Sequence, residues 1–96
     1  MSTHSDYVSA MQARMKQFDK DVDALSAEAG ARARTAYDER VKDVRASRDA
    51  ARKQLLQLQA ASESAAVAMH AGMQSAWDTM QAALEKATAD VKKLAS

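Results

Sequence analysis

The chain has no cysteine and no proline, and only two of its 96 residues are glycine, Gly30 and Gly72. Each absence excludes something. Without cysteine there is no disulfide, no thiolate nucleophile and no thiolate metal site. Without proline, and with so little glycine, the turns of a β-rich or loop-rich fold lack their residues. Aromatics are scarce: one Trp, two Tyr and one Phe. Isoleucine is missing altogether. No run approaches the roughly 20 apolar residues of a spanning helix. The start, Met1-Ser2-Thr3-His4-Ser5-Asp6, has neither a basic nor an apolar segment of the kind that opens a secretory signal, so a cytoplasmic location is expected.

Alanine fills 23 positions. It is the best helix former and a poor core filler. The bulky apolar residues that remain suit narrow helix–helix seams better than a broad globular core. The expectation is therefore an all-α, coiled-coil-like chain forming a single helical domain over 1–96.

The first helix is expected from about residue 4, where Thr3 and Asp6 have capping-box spacing. An apolar stripe follows: Tyr7, Met11, Met15, Phe18, Val22, Leu25. Its steps of three and four are close to a heptad seam. The stripe thins to Ala29, Ala33 and Ala36 around Gly30, then resumes as Tyr37, Val41, Val44, Ala51, Leu55 and Leu58. Arg48 falls on this seam, where a charge usually sets register or oligomeric state. The 11-residue step from Leu25 to Ala36 reads as a stutter in a continuous helix. Gly30 as a helix C-cap is the alternative. Good helix formers on both sides favour continuity, and Gly30→Ala is then expected to stabilise.

A better turn lies at Ala60-Ala61-Ser62-Glu63-Ser64, where Ser62 can cap a new helix. The expected architecture is a helix over about 4–60, about 80 Å long at 1.5 Å per residue. A second helix over about 63–94 packs back as an antiparallel hairpin. The shorter partner leaves part of the first stripe uncovered, so the hairpin self-associates. A three-helix bundle broken near Gly30 is the alternative.

The last third repeats at a period of 11. Ala65, Ala76 and Ala87 correspond; so do Met69, Met80 and Val91; so do Gly72, Ala83 and Leu94; Met73 pairs with Leu84. Such a period predicts a nearly straight apolar face. Met73, Trp77, Met80, Leu84, Val91 and Leu94 lie on it. Between residues 60 and 76 the only formal charge is Glu63, and most side chains are small. A helix small or apolar all round is expected to be enclosed by neighbours.

Tyr7-Val8 with Met11, the stretch Phe18-Asp19-Lys20-Asp21-Val22, the stretch Tyr37-Asp38-Glu39-Arg40-Val41, and Ala76-Trp77-Asp78 together resemble short bacterial coiled-coil proteins of unassigned function, some linked to stress. The repeats look like those of apolipoprotein-type and late-embryogenesis-type helices. The Ala-rich helices are similar to phasins, which coat polyester storage granules. The resemblance implies an all-helical protein with no catalytic residues to carry over. The weakly charged 60–76 segment departs from the first group.

No residues converge in the pattern of a nucleophile with its base or a phosphate-cradling loop, so no enzyme and no cofactor are expected. Asp38 with Lys42, Asp49 with Lys53 and Lys86 with Asp90 read as solvated pairs one helical turn apart. If Met1 is removed, Ser2-Thr3-His4 offers a square-planar nitrogen set for Cu(II) or Ni(II); a frayed terminus is the plainer reading. Met69 and Met73 share a face while His70 is expected to point elsewhere, so core packing is favoured over a soft-metal site. The basic stretch Arg32, Arg34, Arg40, Lys42, Arg45, Arg48, Arg52 and Lys53 is diluted by Asp38, Glu39, Asp43 and Asp49, which argues against nucleic acid. The function expected is that of a non-enzymatic, homo-oligomeric coiled-coil interaction protein. It presents Met11, Met15, Phe18, Val22, Leu25, Tyr37, Val41, Val44, Leu55, Leu58, Met69, Met73, Trp77, Met80, Leu84 and Val91 to helix partners. The partner is itself or another protein. The alternative is an amphipathic binder of membranes or storage granules.

Overall fold

A computed structural model describes residues 3–95. The chain is all-α, with helices α1 (Thr3–Ala29), α2 (Arg34–Ala60) and α3 (Glu63–Ala95). They run up, down and up. Tyr7 of α1 stacks on His70 of α3, so the starts of these two helices lie side by side. Arg40 near the start of α2 pairs with Asp90 near the end of α3, which sets those two antiparallel. The molecule measures 49 × 20 × 15 Å.

The continuous helix over 4–60 is not formed. Gly30 adopts φ +53°, the left-handed region that ends helices. The chain turns through residues 30–33, and the Ala33 amide donates to the Ala29 carbonyl. The deciding energy is tertiary. Folding α1 back buries Met11, Met15, Phe18 and Leu25, worth roughly 1.5–3 kcal/mol each. A broken helix loses only a few backbone hydrogen bonds, each worth about 1 kcal/mol net. Arg34 offsets part of that loss. Its guanidinium donates to the Gly30 carbonyl, the Ser26 carbonyl and the Ser26 hydroxyl, capping the end of α1 with a cation. The second turn matches its sequence signal. Ser62 Oγ accepts from the Ala65 amide, and α3 starts at Glu63.

The buried side chains repeat by seven in every helix. In α1 these are Met11, Phe18 and Leu25, with Val8, Met15 and Ala29 in a second column. Tyr37, Val44, Ala51 and Leu58 form one column of α2; Val41 and Leu55 form the other, with Arg48 between them. In α3 the columns are Ala66, Met73, Met80 and Ala87, and Trp77 and Val91 with half-buried Leu84. Strict sevens are the pattern of left-handed coiled-coil packing. The 11-residue repeat does not set the buried face of α3. Ala65 is exposed where Ala87 is buried, and Leu94 is exposed.

Candidate functional site

The proposed interface residues lie inside this chain's own core. Met11, Met15, Phe18, Leu25, Tyr37, Val41, Val44, Leu55, Leu58, Met73, Trp77, Met80 and Val91 are buried. Val22, Met69 and Leu84 are half-buried against them. Trp77 is among the buried residues, 5% exposed. Phe18 meets it edge to face, with ring centroids 6.3 Å apart at 61°. The Arg14 guanidinium covers its other surface at 4.5 Å from the ring centroid, a cation–π contact. The stripe that was to recruit a second copy is thus covered by the chain itself.

Within a single copy of the chain the 60–76 segment is not enclosed. Ala65, Val67, Ala68, Ala71, Gly72 and Ser75 are exposed, and only Ala66 and Met73 are buried. The inward face of α3 is used up by one heptad seam, so the small residues on its other sides face outward.

Arg48 makes a two-point polar contact at the core's edge. Its Nε and Nη2 donate to the two carboxylate oxygens of Asp19, the second at 2.7 Å, and tie α2 to α1. The Arg48 hydrogen bond holds the Asp19 carboxyl below its usual range; burial opposes this, and the charges of Arg48 and Arg52 add to it. The same bond pushes the Arg48 guanidinium up. The side chains are 27% and 40% exposed, so solvent screens the pair. Asp19→Asn is expected to cost about 1 kcal/mol at neutral pH. A carboxyl whose folded pKa is depressed stabilises above the unfolded value and loses that contribution as pH falls through the folded one. The stability gap between wild type and Asp19→Asn should therefore stay constant from neutrality to about pH 5 and close below about pH 4. Urea titrations across pH measure it; a gap unchanged at low pH would contradict this assignment.

The other charge pairs differ from those read in the sequence. Asp90 meets Arg40 of the neighbouring helix, not Lys86. Asp38 meets Arg34 at 4.0 Å, and Asp49 meets Arg48 at 3.6 Å.

Both histidines come to one end of the molecule. His4 and His70 line a cavity of about 140 Å³ with Glu63, Ala66 and Val67. His70 points inward, contrary to the sequence reading, and stacks on Tyr7 with centroids 4.1 Å apart. The reason is register: His70 lies seven residues before Trp77, and His4 seven before Met11, so both continue heptad columns to the end of the core. The nitrogens His4 Nδ1, His4 Nε2 and His70 Nε2 are buried and make no hydrogen bond among the described residues. No three His, Asp or Glu side chains among the described residues are grouped to hold a metal. The Ser2-Thr3-His4 reading depends on Ser2, which lies outside the described residues.

A larger concavity lies elsewhere, between α1 and α2. It is a groove of about 440 Å³ floored by Met15 and Leu55 and edged by Gln12, Lys16, Arg52, Leu56 and Gln59. The Asp19–Arg48 bridge marks one end. Leu56 leaves 56% of its surface in water. No sequence reading singled out this groove, because Lys16 and Arg52 are 36 positions apart and meet only when α1 folds back.

No helix among the described residues is long and apolar enough to cross a membrane. No family model matches the chain, and neither a curated protein nor a solved structure does.

Proposed function

We propose that this chain is a non-enzymatic helical interaction protein that associates with copies of itself through the outer face of the first half of α3. The observation that carries the reading is the exposure of Ala65, Val67, Ala68 and Ala71 on a stretch whose only formal charge is Glu63. Val67 is 69% exposed. A solvated helix face is normally charged, and small side chains let two helices approach closely. Near a two-fold axis residues meet their own copies, so a face without charge avoids like-charge contact. The proposed association therefore runs through different residues from the heptad seams. A role under stress rests on the resemblance alone.

Light scattering coupled to size exclusion tests this. The wild type is expected to run as an oligomer, and a Val67→Asp, Ala71→Glu variant as a monomer of unchanged helicity. A wild-type monomer across micromolar concentrations would defeat the proposal. The same charge-poor face supports the second reading, contact with a lipid or polyester surface. Pelleting of a monomeric wild type with neutral vesicles or polyester particles, abolished by the same two substitutions, would put that reading in place of self-association.

A further inference from the structure

We infer that the groove between α1 and α2 binds a single-chain anionic amphiphile, its alkyl chain against Met15, Leu55 and Leu56 and its carboxylate between Lys16 and Arg52. This goes beyond self-association and concerns a different face.

The floor supplies the apolar half of the argument. Met15 and Leu55 are buried beneath the groove, and Leu56 stands at its lip with more than half its surface in water. At about 440 Å³ the space falls in the range of about 300–1,000 Å³ typical of small-ligand sites. Methionine adapts its shape to a flexible chain.

The rim supplies the charge. Lys16, Arg48 and Arg52 line the groove against Asp19 as the only acid. Arg48 engages both oxygens of that acid. Neither Lys16 nor Arg52 makes an ion pair among the described residues. Arg52 also acts on the Asp19 carboxylate through space, but that acid is already held by Arg48, so the positive charge at the rim is in excess, and excess positive charge beside an apolar floor fits an anion attached to a hydrocarbon chain. The adjacent cavity of about 260 Å³ has the opposite character, since Asp19, Asp23 and Asp49 line it beside Arg45 and Arg48. The bridge divides the two and sets where an anionic headgroup is welcome.

A protein occupant fits less well. Leu56 is the one large apolar side chain exposed at this groove, whereas a stable protein interface covers roughly 800 Å² on each partner around an apolar centre. A second copy placed symmetrically would set groove against groove and leave both unfilled.

Calorimetric titration with laurate, below its micelle concentration, tests the inference. Octanoate serves as the short-chain comparison and dodecyltrimethylammonium as the cationic one. Laurate is expected to bind at one site per chain and to raise the melting temperature. Octanoate is expected to bind at least about tenfold more weakly, since its shorter chain buries fewer methylenes against the floor. A Lys16→Gln, Arg52→Gln double variant and a separate Leu56→Gln variant should each weaken laurate about tenfold or more. All three positions are exposed, and unchanged melting curves without ligand check that the fold is intact. Absence of laurate binding overturns the proposal. So does equal binding of the cationic amphiphile, or laurate affinity retained in both variants. The oligomer experiment uses substitutions on α3, so either proposal can fail without the other.

Discussion

Trp77→Ala is expected to cost about 3–5 kcal/mol, the range for deleting a core aromatic and leaving a cavity. A chain of this length typically has about 5–15 kcal/mol of stability, so the variant should be marginally folded or unfolded. At about 4–8 °C per kcal/mol for a small domain, the melting temperature falls by roughly 12 °C or more. The reason lies in the partners. Phe18 loses its edge-to-face contact, and Arg14 loses the ring it covers. Met73 and Met80, one helical turn to either side, are themselves fully buried. Trp77→Phe keeps an aromatic in place and should cost about half as much or less. Far-UV circular dichroism melts measure both. The native tryptophan emission should be blue-shifted without any lipid and move to the red on unfolding. A mild loss for Trp77→Ala, or a red native emission, would mean that the ring is not buried in the core.

Gly30→Ala is expected to destabilise by about 1–2 kcal/mol, the cost of placing an L side chain in the left-handed region. This reverses the sequence expectation of a gain. Nothing lies within 4 Å of the position a Cβ would take, so the whole effect is conformational and none is steric. Gly30→Asn should lie between Ala and the wild type, because asparagine tolerates this region better. Melts of the two variants decide between the architectures. Stabilisation by alanine would restore a continuous first helix and the hairpin about 80 Å long. Loss of stability confirms a helix end at Ala29.

The contrast at Gly30 shows how far sequence reaches. Helix propensity is local, and the residues flanking Gly30 are helix formers, so a local reading joins α1 to α2. The break is decided by residues elsewhere: Met11, Phe18 and Leu25 gain more by meeting α2 and α3 than the turn loses. Arg34 shows the same limit. Its role as a cap requires it to reach back eight positions to Ser26, which no propensity scale registers. The turn at Ser62 was legible because its signal is local, a hydroxyl accepting from an amide three residues on.

The candidate surfaces divide in the same way. Arg48 was marked by its place on a seam, and the sequence assigned it a register role without a partner. Only the packing of α1 on α2 brings Asp19 to it. His70 was misplaced because the face was drawn through Met69 and Met73, whereas the buried columns pass through Met73 and Trp77. A shift of one position in register turns a side chain by about 100°, enough to exchange inside for outside. The outward face at Ala65, Val67 and Ala68 shows a related limit: lack of charge marks a surface that can be covered, but not what covers it.

By itself the sequence determined that the chain is helical, where α3 begins, and the apolar stripe that α2 buries, Tyr37, Val41, Val44, Ala51, Leu55 and Leu58. Those properties depend on alanine content, on the absence of proline and on three-to-four spacing, and all are local. The tertiary structure decided that there are three helices instead of two, that the apolar stripe closes on itself, and that Lys16 and Arg52 share a groove. Those depend on contacts between residues tens of positions apart, whose energy appears only when the chain has folded back.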